Sequence, residues 1–111
     1  MSIKKLELSM LCDIYGSLLS TKQKEALEMY CNEDYSLSEI AENTGISRQG
    51  VRDQIKHAEA QLVEFEQKLG LHKKYTLLSE KLSRIAESEA VKKDPEVLNI
   101  VKEIQDTMSF E

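Results

Sequence analysis

With 111 residues, 5% aromatic residues and a single proline, the chain has room for one modest core, or one domain with an extension, and favours helices. Fifteen Lys and Arg against 20 Asp and Glu leave a net charge of −5, which excludes a protein that coats nucleic acid by charge alone; any DNA contact has to be local. No apolar run reaches the roughly 18 residues needed to span a membrane, and the opening MSIKKLELSMLCDIYGSLLS, broken by Glu7 and Asp13, is a poor secretory signal, so a cytoplasmic protein is expected.

From Ile3 to Leu18 the apolar residues Leu6, Met10, Leu11, Ile14 and Leu18 keep helical spacing and predict an amphipathic first helix. Ser20 with Gln23 forms a capping box, after which Ala26, Leu27, Met29, Tyr30 and Cys31 predict a strongly apolar second helix ending near Asn32, with Glu33 and Asp34 as the turn. Such helices supply the core that a short two-helix motif lacks.

The most informative stretch is YSLSEIAENTGISRQGVRDQIKHA, residues 35–58. Ser36 and Glu39 form a second capping box, so a helix starts at Leu37, with Leu37, Ile40 and Ala41 on its apolar stripe. Gly45 supplies the left-handed turn that ends it, and Ser47 caps the next helix from Arg48. Val51, Ile55 and Ala58 face the same core, which leaves Arg48, Gln49, Arg52, Asp53 and Lys56 around the open side. This is the pattern of a helix-turn-helix, whose second helix enters the major groove, where arginine suits guanine and glutamine suits adenine. Residues 36–57 carry no net charge, against −2 for residues 1–35 and −3 for residues 58–111, and residues 47–57 alone carry +2. Two residues work against DNA: Gly50 costs a helix interior about 1 kcal/mol relative to alanine, and Asp53 would repel phosphates.

The second motif helix continues past the motif. Val51, Ile55, Ala58, Leu62, Phe65 and Leu69 form a seam with a mean period of about 3.5 that reaches Gly70, a helix of roughly six turns. The pattern restarts with Leu71, Tyr75, Leu78, Leu82 and Ile85, then fades in AESEAVKKD; Asp94 before Pro95 caps a last helix with the seam Val97, Val101, Ile104 and Met108. The prediction is an all-α protein of about six helices: a helix-turn-helix domain over 1–70, with its motif at 36–57, and a C-terminal helical hairpin or bundle over 71–111. The extra seams serve either a bundle within the chain or a homodimer, and the dimer is favoured because a two-fold axis doubles a weakly basic surface.

Nothing in the sequence spells an active site, a metal site or a cofactor loop. Ser36, Ser38 and Ser47 are accounted for as caps or helix starts, His57 and His72 have no sequence partner, and the glycines are isolated. Glu59, Glu64 and Glu66 are expected to face water. Cys12 and Cys31, without a CxxC or ligand spacing, are expected to be reduced thiols.

The run LLSTKQKEALEMYCNEDYSLSEIAENTGISRQGV resembles the YlxM-like family of small bacterial helix-turn-helix proteins, and its motif also resembles region 4 of bacterial sigma factors. The likeness is strong from Leu18 to about Lys56, moderate to Gly70, and beyond Leu71 confined to helical character. Where relatives often carry a large apolar residue and an alanine, this chain has Thr44 and Gly50. By similarity Ser47, Arg48, Gln49, Arg52 and Lys56 are the implied DNA contacts of a regulatory protein that is not an enzyme. The resemblance also implies a link to the signal recognition particle, since genes of YlxM-like proteins lie beside the gene for that particle's GTPase. On that alternative the chain is an interaction module docking on the particle's protein or RNA.

Overall fold

The structure, a computed structural model, describes residues 3–109; the outer ends of the two expected segments, residues 1–2 and 110–111, lie outside the described residues. The described residues form seven α-helices and one 3-10 turn, with no strand. These are α1 (Lys5–Tyr15), α2 (Thr21–Cys31), α3 (Leu37–Thr44), α4 (Arg48–Leu69), α5 (Leu71–Glu87), α6 (Glu89–Lys92) and α7 (Pro95–Thr107). The expected all-α class is met. The helix beyond the expected six is α6, a single turn inside the polar stretch where apolar spacing fades; it exists because Ser88 Oγ accepts from the Val91 N–H at 3.3 Å. No helix among the described residues is long and apolar enough to cross a membrane.

The chain divides into two compact units, one up to Gly70 and one from Leu71. In the first, local caps set the boundaries. Ser20 and Gln23, and Ser36 and Glu39, each close both halves of a capping box at the start of α2 and α3. Gly45 and Gly70 end α3 and α4 in the left-handed region, at φ 77° and 63°. Asp34 also has a positive φ, 55°, a conformation that aspartate tolerates better than most residues, and its carboxylate pairs with Lys5 Nζ at 2.9 Å.

Around these caps α1, α2 and α3 pack on α4. The core is Leu8, Leu11 and Tyr15 of α1, Ala26 and Leu27 of α2, Ile40 of α3, and Val51, Ile55, Ala58 and Leu62 of α4. The expected stripe of α1 is corrected here: Leu6, Met10 and Leu18 are exposed, Leu6 by 70%, and the buried face is Leu8, Leu11, Cys12 and Tyr15. Two apolar sets interleave at helical spacing in this segment, and tertiary packing chose the one that carries Tyr15. The helix also stops at Tyr15 rather than Leu18, with Gly16–Leu18 tightening into the 3-10 turn. Gly16 is buried there, where a Cβ would stand 3.2 Å from Cys12 Sγ.

Two of the three glutamates expected to face water do not. Glu59 is buried and accepts from the Ile3 N–H at 2.8 Å, and Glu66 accepts from the Tyr15 hydroxyl at 2.7 Å, beside the contact of the Tyr15 and Phe65 rings at 5.9 Å. Glu64 remains in solvent, paired with Lys68 at 3.0 Å. Ile3 and Tyr15 meet a flank of α4 that the heptad seam does not reveal, and the carboxylates there are placed by contacts over 50 residues away.

Cys12 and Cys31 are unpaired, Cys12 buried and Cys31 half-buried. Burial pushes both thiols up, Cys31 from 9.0 to about 11, with Cys12 nearby adding to it. The folded state therefore holds the Cys31 proton where the unfolded chain has released it. Stability is expected to fall as pH rises from about 9 to about 11, and Cys31→Ala should flatten that decline in urea titrations. Slow alkylation by iodoacetamide at pH 8, accelerating on unfolding, is the companion expectation.

In the second unit α5, α6 and α7 pack on one another. Asp94 Oδ1 accepts from the Val97 N–H at 3.3 Å, with Pro95 opening α7. Only one residue of each long helix is buried, Leu82 on α5 and Val101 on α7. Their seams are half closed.

Candidate nucleic-acid interface

The short helix α3 and the first turns of α4 meet at Gly45, and the buried Ile40, Val51 and Ile55 turn the opposite face of α4 outward. Ser47, Arg48, Gln49, Arg52 and Lys56 are all exposed. Arg48, Arg52 and Lys56 follow one another at i, i+4, so three cations rise along one side of the helix. Ser47 Oγ accepts from the Gly50 N–H at 3.0 Å, which leaves its hydroxyl hydrogen to donate outward. The N–H groups of the first turn add a partial positive charge at the same end.

Gly50 is accounted for by this cap. It lies in the first turn rather than mid-helix, and a Cβ on it would stand 3.1 Å from Ser47 Oγ, tighter than an ordinary contact. Glycine therefore gives the capping hydroxyl room, which offsets part of its low helix propensity. Thr44 likewise has a local role, its hydroxyl donating to the Ile40 carbonyl at 2.8 Å in the last turn of α3.

Asp53, which spacing alone sets against phosphates, has a partner on the same face: Gln49 Nε2 donates to Asp53 Oδ1 at 3.0 Å. The carboxylate holds the Gln49 amide by its NH₂ and leaves its carbonyl oxygen as an outward acceptor. This pair was missed in the sequence, although its i, i+4 spacing was there to read. His57 is exposed beyond it. A depression of about 220 Å³ lined by Lys22, Met29, Thr44, Ile46 and Gln54 lies on the other flank of α4 and shares no residue with this face.

The arrangement provides three cations, one amide and one hydroxyl on a rigid helix, with no group of metal-ligating side chains among the described residues. Chemically, such a set can meet a polyanion and a polar edge at once. Comparison with known proteins finds that residues 2–106 match the family described as "Putative helix-turn-helix protein, YlxM / p13 like". The chain is 47% identical to a UPF0122 protein of Thermoanaerobacter sp. strain X514 over 103 residues, covering 89% of this chain and 88% of the relative. It is 41% identical to one of Halalkalibacterium halodurans over 105 residues, covering 95% and 96%.

Proposed function

The chain belongs to the YlxM/p13-like helix-turn-helix family, and from that premise we propose that it is a cytoplasmic DNA-binding regulator, not an enzyme, that reads DNA with α4. The observation that carries this reading is the exposed row Arg48, Arg52 and Lys56 beside Gln49, on a helix whose other side is locked in the core. Phosphate contacts from the cations and the Ser47 hydroxyl would set the register, and Arg48, Gln49 and Arg52 would meet base edges. A single helix of this modest charge is a weak reader, and the reading therefore includes a pair of chains on two half-sites.

The test is fluorescence anisotropy of a labelled mixed-sequence duplex titrated with the protein at about 50 and 200 mM salt. Binding that weakens steeply with salt is expected. Asp53→Asn, which keeps an acceptor for Gln49 and removes a negative charge, should tighten binding by about fivefold at the lower salt, on the order of 1 kcal/mol. The gain should shrink at the higher salt as screening sets in.

A second reading is favoured by the charge of −5. In it the acidic helices dock on the basic, RNA-binding protein of the signal recognition particle, and the motif keeps its fold without a DNA ligand. No duplex binding at about 50 mM salt, together with capture of that protein lost on removal of residues 71–111, would favour it over the first.

A further inference from the structure

The C-terminal unit leaves its core half open, and the open half is patterned by charge. From Leu71 onward it has on the order of 40 residues, a length at which folded units generally depend on disulfides, metals or oligomerisation. Its described residues include no cysteine and no cluster of metal ligands. Beside the buried Leu82 and Val101, the side chains of Leu78, Ile85, Val97, Ile100 and Ile104 stay between 39% and 49% exposed.

These exposed residues lie along defined edges. At about 100° per residue, Leu78 and Ile85 lie about 40–60° to one side of Leu82, and Lys74 and Lys81 about 80–100° to the same side. On α7, Val97, Ile104 and Ile100 lie about 40–100° to one side of Val101, and Glu96 and Glu103 lie beyond them at about 140–160°. The apolar edge of α5 is thus bordered by lysines and that of α7 by glutamates. Over their whole lengths α5 carries a net +2 and α7 a net −2. Among the described residues Lys74, Lys81 and Glu96 hold no ion pair. A depression of about 410 Å³ lined by Lys81, Arg84, Ile85 and Ser88 continues the basic edge at the end of α5.

We propose that these edges form the interface of a homodimer, in which the lysine-bordered α5 of one protomer lies along the glutamate-bordered α7 of its partner. A two-fold interface requires a surface complementary to itself. Basic and acidic borders on one unit meet that requirement: α5 against α5 sets lysine on lysine, whereas α5 against α7 neutralises both borders at each of two equivalent contacts. The product is a four-helix bundle closed on the residues that a single chain leaves exposed. It supplies the pairing on which the two-half-site reading rests, and it stands without DNA.

The experiment is sedimentation equilibrium of the full chain at about 100 µM, with no DNA present. Twice the chain mass of 12.7 kDa is expected. Lys74→Glu with Lys81→Glu should weaken the dimer at least tenfold, as should Glu96→Lys with Glu103→Lys, and all four changes together should restore most of it. Circular dichroism checks that each variant keeps its helices. Ile100→Asp, changed at a side chain already exposed in the single chain, should give the monomer mass. A wild-type mass of 12.7 kDa overturns the proposal. So does a dimer untouched by either charge reversal, or one that the fourfold variant fails to restore.

Discussion

Arg48→Ala combined with Arg52→Ala is expected to abolish measurable DNA binding while leaving the fold intact. Both guanidinium groups stand in solvent one turn apart on α4, so neither contributes packing that alanine would remove. Arg48 occupies the first helical position, where the helix dipole disfavours a cation by a few tenths of a kcal/mol, so its loss is neutral or slightly stabilising. A bidentate arginine is worth about 1–3 kcal/mol of base discrimination, and the pair should therefore cost about 2–6 kcal/mol, upwards of thirtyfold in affinity. If both act on phosphates, the slope of log affinity against log salt should fall by about 1.8. Anisotropy at two salt concentrations reads both quantities. A double variant that binds like the wild type would move the contact off α4 altogether.

Ile55→Ala should act in the opposite way, through the fold rather than through contact. Ile55 is fully buried on α4, the helix against which α1, α2 and α3 all pack. Truncation there costs about 2–5 kcal/mol through lost transfer energy and the cavity left behind. A domain stabilised by roughly 5–15 kcal/mol would lose a large share of its margin. Urea unfolding should show a lower midpoint with the slope unchanged, whereas Lys56→Ala, one residue along and exposed, should stay within about 0.5 kcal/mol. DNA binding by Ile55→Ala should survive when the protein is kept cold and folded, which separates it from the arginine variant.

How much of this was legible depended on whether the signal was local. Ser20 with Gln23, Ser36 with Glu39, Gly45, Ser47, Gly70 and Asp94 with Pro95 act within four residues of themselves, and the structure places every one of these boundaries where the spacing put it. The exposure of Arg48, Gln49, Arg52 and Lys56 followed from the burial of Val51 and Ile55 by the same helical arithmetic. What was not legible came from distant packing. Leu6 and Leu8 are equally apolar neighbours in α1, and only the packing of α1 on α2 and α4 decides that Leu8 goes inside. Glu59 and Glu64 read alike along one helix, yet the Ile3 amide reaches the first and solvent the second. Gly50 looked like a defect because its conflict with Ser47 Oγ is a matter of tenths of an ångström.

The bond from Ile3 to Glu59 spans 56 positions, and that from Tyr15 to Glu66 spans 51. On the ribosome this separation becomes a delay. At about 5–20 residues per second, α1 emerges roughly 3–10 s before the stretch of α4 that covers it. During that interval Leu8, Leu11 and Tyr15 have no lasting shelter, so nascent chains stalled before α4 should bind chaperones and be cut by proteases, while chains released past Gly70 should resist both. The helix that carries Arg48, Arg52 and Lys56 is thus also the last part of its unit to be made, and the unit cannot close before that helix exists.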